Sequence, residues 1–103
     1  METTKTNRGF AICEFTDRYG KKCSVQKSSL ATEDAIWLGV DDAEPKIMAT
    51  DAKRLGIQTD QDCGWVDFDI PEEVLLSTRM HLTQDMVKEL LPILQKFAET
   101  GDI

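Results

Sequence analysis

The sequence predicts an α+β fold: a small antiparallel β-sheet with an N-terminal β-hairpin, packed against a C-terminal, Pro-kinked α-helix. Three observations carry that prediction. Apolar segments of period two, bounded by turn residues, occupy residues 9–40. A strict alternation, WVDFDI, follows at residues 65–70. The end of the chain then switches to a 3.6-residue period, and strands followed by a helix make an α+β arrangement. At 103 residues the chain has the length of one domain. Residues 1–8 are read as a flexible polar N-terminus and residues 9–103 as a single α+β domain.

The first strand runs from Gly9 to Thr16 (GFAICEFT), with apolar residues on both faces, as expected of an inner strand. Asp17-Arg18-Tyr19-Gly20 is a turn: Asp opens it and Gly supplies the positive φ that closes it. Lys22 to Ser28 returns as the hairpin's second strand, and Ala35 to Val40 (AIWLGV) is a third. Lys46 to Thr50 is a weaker fourth after the turn DDAEP, DAKRLG has the length of a helical turn, and residues 57–64 read as a loop. Trp65 to Ile70 is a strand ended by Pro71, and a short one is expected through Ser77 to Leu82. The terminal helix has Thr83 as N-cap, Asp85 in its first turn and Gly101 as C-cap. Val87, Leu90, Leu91, Leu94 and Phe97 form its apolar stripe, and Pro92 is expected to kink or split it.

Charge excludes some functions and organises others. With 12 basic and 19 acidic residues the net charge is −7, which argues against direct nucleic-acid binding. Residues 1–30 hold six basic and three acidic residues, whereas residues 31–78 hold three and twelve, so the middle of the chain is acidic. No apolar run is long enough to span a membrane, and METTKTNRGF lacks the apolar stretch of a secretory signal. Together with the odd number of cysteines (Cys13, Cys23, Cys63), this places the chain in a reducing cytoplasm.

Catalytic and metal motifs are missing. His81, the single histidine, has no nucleophile in a recognisable motif to partner it, and reads as a surface, interface or ligand contact. There is no CxxC, no complete calcium loop around Asp60–Gly64 and no glycine-rich phosphate loop, so neither metal nor cofactor is expected. Ser24, Gln26 and Ser28 alternate along the second strand and place three hydrogen-bonding groups on one face, with Ser29 next. Trp37 and Arg79 add an aromatic surface and a phosphate-binding fork. Arg18, Lys21 and Lys22 at the hairpin turn offer a second cationic group.

Two stretches, FTDRYGKKCSVQKSSLATEDAIWLG (15–39) and RMHLTQDMVKELLPILQKFAETGDI (79–103), resemble a widespread family of small tailed-phage and prophage proteins of uncharacterised function. The resemblance highlights Ser24, Gln26, Ser28, Ser29, Trp37, Arg79 and His81. It implies a non-enzymatic accessory protein that acts by binding. The first expectation is counter-defence: a homo-oligomer sequestering a nucleotide immune signal, a cyclic oligonucleotide or ADP-ribose derivative, in an oligomer-interface pocket built from those seven residues. The alternative is an acidic anti-CRISPR-like inhibitor that presents Asp60, Asp62, Asp67, Asp69, Glu72 and Glu73 to a host defence or nucleic-acid-binding protein. A virion or assembly accessory protein is the third.

Overall fold

The computed structural model describes residues 1–103 and divides the chain into two compact units, residues 1–41 with 78–103, and residues 42–77. The first unit contains β1 (Thr3–Lys5), β2 (Ala11–Thr16), β3 (Lys22–Lys27), β4 (Ala35–Val40), β7 (Arg79–Thr83) and α2 (Gln84–Thr100). The second contains β5 (Lys46–Met48), α1 (Ala49–Arg54) and β6 (Trp65–Asp67). The chain is α+β, with an antiparallel sheet, an N-terminal hairpin and a C-terminal helix.

The five strands of the first unit pair antiparallel in the order β1-β2-β3-β4-β7. The β2–β3 hairpin closes as its turn residues predict: the Asp17 carboxylate accepts from the backbone N–H of Tyr19 and of Lys21, each at 2.9 Å. Residues 3–5, expected to be part of a flexible start, form the edge strand β1 instead. A tight turn brings them back, with Thr6 N–H donating to the Phe10 carbonyl at 2.8 Å and Gly9 N–H to the Thr6 carbonyl at 2.9 Å. TTK has no apolar residue, so its strand is held by backbone pairing to β2 and carries no hydrophobic period.

Register sorts the sheet into two unlike faces. Gln26, Trp37 and His81 lie opposite one another across β3, β4 and β7, as do Ser24, Gly39 and Arg79 one pleat away. The other face carries Val25, Leu38 and Met80 in one row, with Phe15, Ile36 and Leu82 beside it. One face is therefore mainly polar and aromatic, with Ile12 beside Gln26, and the other is apolar apart from Lys27 opposite Ile36.

Helix α2 is built as its sequence predicts. The Thr83 hydroxyl accepts from Met86 N–H at 3.3 Å, and Gly101 closes the C-terminus at φ +77°. Of the kink or split expected at Pro92, the split does not occur: α2 runs unbroken from Gln84 to Thr100 with Pro92 inside it, and Lys88, whose carbonyl loses its donor, is exposed and open to water. Nor does α2 cover the sheet. Its tertiary neighbour is β7 and none of its residues is buried, because it starts at the residue after β7 with no connection in which to turn back.

In the second unit, Ala49, Ala52 and Val66 form a small core with Ile47 and Ile57 against it. The strand expected at Lys46–Thr50 ends at Met48, where α1 begins. The one expected at Trp65–Ile70 pairs only through Asp67, after which Phe68 N–H donates to the Pro45 carbonyl at 3.0 Å. No helix is long and apolar enough to cross a membrane.

Gly39 sets how closely β7 lies on β4. A Cβ there would stand 2.5 Å from the Thr78 carbonyl oxygen and 2.9 Å from Arg79 Cα, at a φ of +153°. Gly39→Ala is therefore expected to cost about 2 kcal/mol or more. Gly20→Ala has a strained φ of +79° but open space around it, and should cost about 1 kcal/mol. Thermal denaturation of the two variants checks the order.

Candidate ligand-binding site

The polar face of the sheet ends in a cavity of about 430 Å³, lined by Thr6, Asn7, Arg8, Phe10, Gln26, Ser29, Trp37 and Arg79. That volume lies within the range of small-molecule sites. Three parts of the first unit build it. The turn before β2 supplies Thr6 to Phe10, β3 and the residues after it supply Gln26 and Ser29, and the β4–β7 pair supplies Trp37 and Arg79.

The aromatic and cationic groups are held in place. The rings of Trp37 and His81 stack with centroids 3.8 Å apart and planes 6° from parallel, a contact set by their direct cross-strand pairing. Arg79 Cζ lies 5.6 Å from the Trp37 ring, and its Nη1 donates to Gln26 Oε1 at 3.0 Å. Arg8 lies at the same 5.6 Å from the Phe10 ring. Two guanidinium groups, each against an aromatic ring, thus face a cavity whose lining includes no carboxylate. In a chain of net charge −7 this region is locally positive, which is what an anion requires.

Of the seven residues singled out from the sequence, Gln26, Ser29, Trp37 and Arg79 line the cavity. The other three support it. His81 is exposed and stacks on Trp37; its Nε2 lies 2.9 Å from Ser28 Oγ. Ser28 is buried, and its hydroxyl also accepts from Leu30 N–H at 3.2 Å. Ser24 is a correction as a ligand contact: it is fully buried, and its hydroxyl donates to Asp41 at 2.6 Å, tying β3 to the end of β4. Thr6, Asn7, Arg8 and Phe10 were missed. The only signal for them in the sequence is the mild positive charge of residues 1–30, which also pointed to Arg18, Lys21 and Lys22, none of which lines the cavity.

The acidic set, Asp60, Asp62, Asp67, Asp69, Glu72 and Glu73, belongs to the second unit and is exposed throughout. Two members are engaged within that unit. Lys53 pairs with Asp62 at 2.6 Å and Lys46 with Asp67. The hydrogen bond between them, reinforced by the charge of the opposite partner, holds the Asp67 carboxyl below its ordinary range and pushes the Lys46 ammonium above its own. That pair stays ionised until acid titrates Asp67 from below or alkali titrates Lys46 from above.

No family model, curated protein or solved structure matches the chain.

The support given by Ser24 predicts its own phenotype. Ser24→Ala removes the donor to Asp41 from a fully buried position and should lower stability by about 1–2 kcal/mol while leaving the cavity lining in place. Chemical denaturation measures the first effect, and ligand titration of the folded variant measures the second.

Proposed function

We propose that this chain is a non-enzymatic, phage-type accessory protein that binds and sequesters a nucleotide-type anion in the Arg8–Arg79 cavity. The observation that carries the reading is the composition of that cavity: two arginines, two aromatic rings, amides and hydroxyls. Arginine forks recognise phosphate oxygens, and a ring face accepts a base or lies against a ribose. In this reading Arg8 and Arg79 hold the phosphates, Gln26 orients Arg79, and Phe10 and Trp37 form the walls. Asn7 and Ser29 supply polar contacts. The ligand class is a cyclic oligonucleotide or an ADP-ribose derivative, the setting is the host cytoplasm, and the working form is a homo-oligomer. The resemblance to small phage proteins makes counter-defence the purpose of the binding.

The inhibitor reading, through the acidic residues of the second unit, fits less well. Asp62 and Asp67 already have lysine partners there, which reduces the negative charge available to a basic surface.

A panel of mono-, di- and cyclic oligonucleotides and ADP-ribose derivatives, read by thermal shift, tests the proposal. One ligand class is expected to stabilise the protein, by about 2.7 kcal/mol at one hundred times its Kd. Arg79→Ala and Arg8→Ala should each weaken that ligand at least tenfold, and the weakening should be greatest at low salt. Mass spectrometry of the ligand after incubation with sub-stoichiometric protein should find it intact. A flat panel sinks the proposal; inhibition of a host protein lost on Asp69→Lys and Glu73→Lys would replace it.

A further inference from the structure

We propose that residues 42–77 carry a second binding site, different in chemistry from the Arg8–Arg79 cavity, which takes a neutral saccharide on the ring of Trp65. The inference stands apart from the preceding reading and from its ligand.

The first observation is a cavity of about 400 Å³ whose lining belongs entirely to this unit. Lys46, Trp65 and Asp67 line it from the β5–β6 ribbon, and Gln58, Thr59 and Gln61 line it from the loop before β6. Its volume lies in the range of small-molecule sites.

Register explains why these groups meet. Lys46 pairs with Asp67 and Met48 with Trp65, so the three ribbon residues of the lining share one face, while Ile47 and Val66 belong to the other face and pack with Ala49 and Ala52. The loop is fixed at both ends. Ile57 N–H donates to the Ala52 carbonyl at 2.8 Å, Ala49 N–H donates to the Gly64 carbonyl at 2.8 Å, and Lys53 pairs with Asp62 between them. Inside the loop, Gln61 N–H donates to the Thr59 hydroxyl oxygen at 3.1 Å. Contacts within the unit thus hold the lining in place.

The second observation is the ring itself. Trp65 is the largest side chain of the unit, yet Ala49, Ala52 and Val66 form the core with Ile47 and Ile57 and without it. Its indole stands instead among amides, a hydroxyl and an ion pair. That setting gives a flat apolar face ringed by polar groups, as an amphipathic aromatic does at a binding surface.

Charge selects the ligand class. Lys46 and Asp67 are bound to each other, so this lining presents no unpaired charge, whereas Arg8 and Arg79 make the first cavity positive. It therefore favours neither an anion nor a cation. Two amides, a hydroxyl, an ammonium and a carboxylate place donors and acceptors side by side, a pattern that a row of hydroxyl groups satisfies because each both donates and accepts. A neutral ligand with hydroxyls around its rim and a C–H face to lay on an indole is a sugar ring.

Proton–nitrogen NMR spectra of the full chain, with one indole N–H for each of its two tryptophans, test the inference. The Trp65 resonance is the one lost in Trp65→Phe. The probes are glucose, galactose, mannose and N-acetylglucosamine with their disaccharides, and, for contrast, inorganic phosphate and adenosine. At least one saccharide is expected to shift the Trp65 indole saturably while leaving that of Trp37 in place. Trp65→Ala, followed through the side-chain amides of Gln58 and Gln61, and Asp67→Asn, followed through the Trp65 indole, should each raise the Kd of that saccharide at least tenfold. Neither replaced side chain belongs to the Ala49–Ala52–Val66 core, and the titration of the wild type decides the matter without either variant. A Trp65 resonance that no saccharide moves overturns the inference. So does one that phosphate or adenosine moves and no sugar does, or a saccharide affinity that survives Trp65→Ala.

Discussion

The pairing of β4 with β7 is the contact on which the rest of the first unit depends. It joins residues 35–40 to residues 79–83 across the whole of the second unit, and it sets Trp37 against His81 and Gly39 against Arg79. Without it Arg79 would have neither the Gln26 side-chain amide oxygen nor the Trp37 ring beside it, since both lie far away in sequence. The pairing is possible because Gly39 has no Cβ where the Thr78 carbonyl passes. The long excursion between the strands costs little in principle, because loop-closure entropy grows only with the logarithm of loop length. A missing methyl group at one position therefore governs both the sheet's last strand and the chemistry displayed on it.

Alternation gives that sheet two separate purposes. In β3, Ser24 and Gln26 occupy one phase while Cys23 and Val25 occupy the other, which ends in Lys27, and in β4 and β7 tryptophan and histidine stand back to back with leucine and methionine. Because the phases agree across the strands, the polar groups accumulate on one side and the apolar groups on the other. Charge follows a similar partition. The cavity gathers Arg8 and Arg79 in a chain of net negative charge, while much of the excess acid lies in residues 42–77, where lysines engage part of it. Net charge is thus a poor guide to the charge that one face of the molecule presents.

Much of this was legible in the sequence, and the exceptions have physical causes. Ala35 to Val40, the Asp17–Gly20 turn and the two caps of α2 were readable because each rests on local chemistry: alternation, a turn carboxylate, a hydroxyl at an N-cap and a glycine at positive φ. Strand β1 was not readable because Thr3–Lys5 has no apolar residue and so no hydrophobic period; it is held by backbone pairing to β2 and by a hydrogen bond between the Thr3 hydroxyl and the Cys13 thiol. With it went Arg8 and Phe10, which reach the cavity only because the turn at Thr6–Gly9 folds them over the sheet. Ser24 shows the opposite limit. The alternation placed it on the correct face, but no local rule told that Asp41 would claim its hydroxyl and bury it.

The misreading of α2 is the most instructive, since its amphipathic pattern was read correctly. A periodic apolar stripe records that a helix face is buried somewhere; it does not record in which chain. Connection length does carry that information. Thr83 serves at once as the last residue of β7 and as the cap of α2, which leaves the chain no residue in which to reverse. Helix α2 starts at the residue after β7, has that strand as its neighbour and buries none of its residues, so the stripe predicts a covered face that the sheet of this unit does not supply.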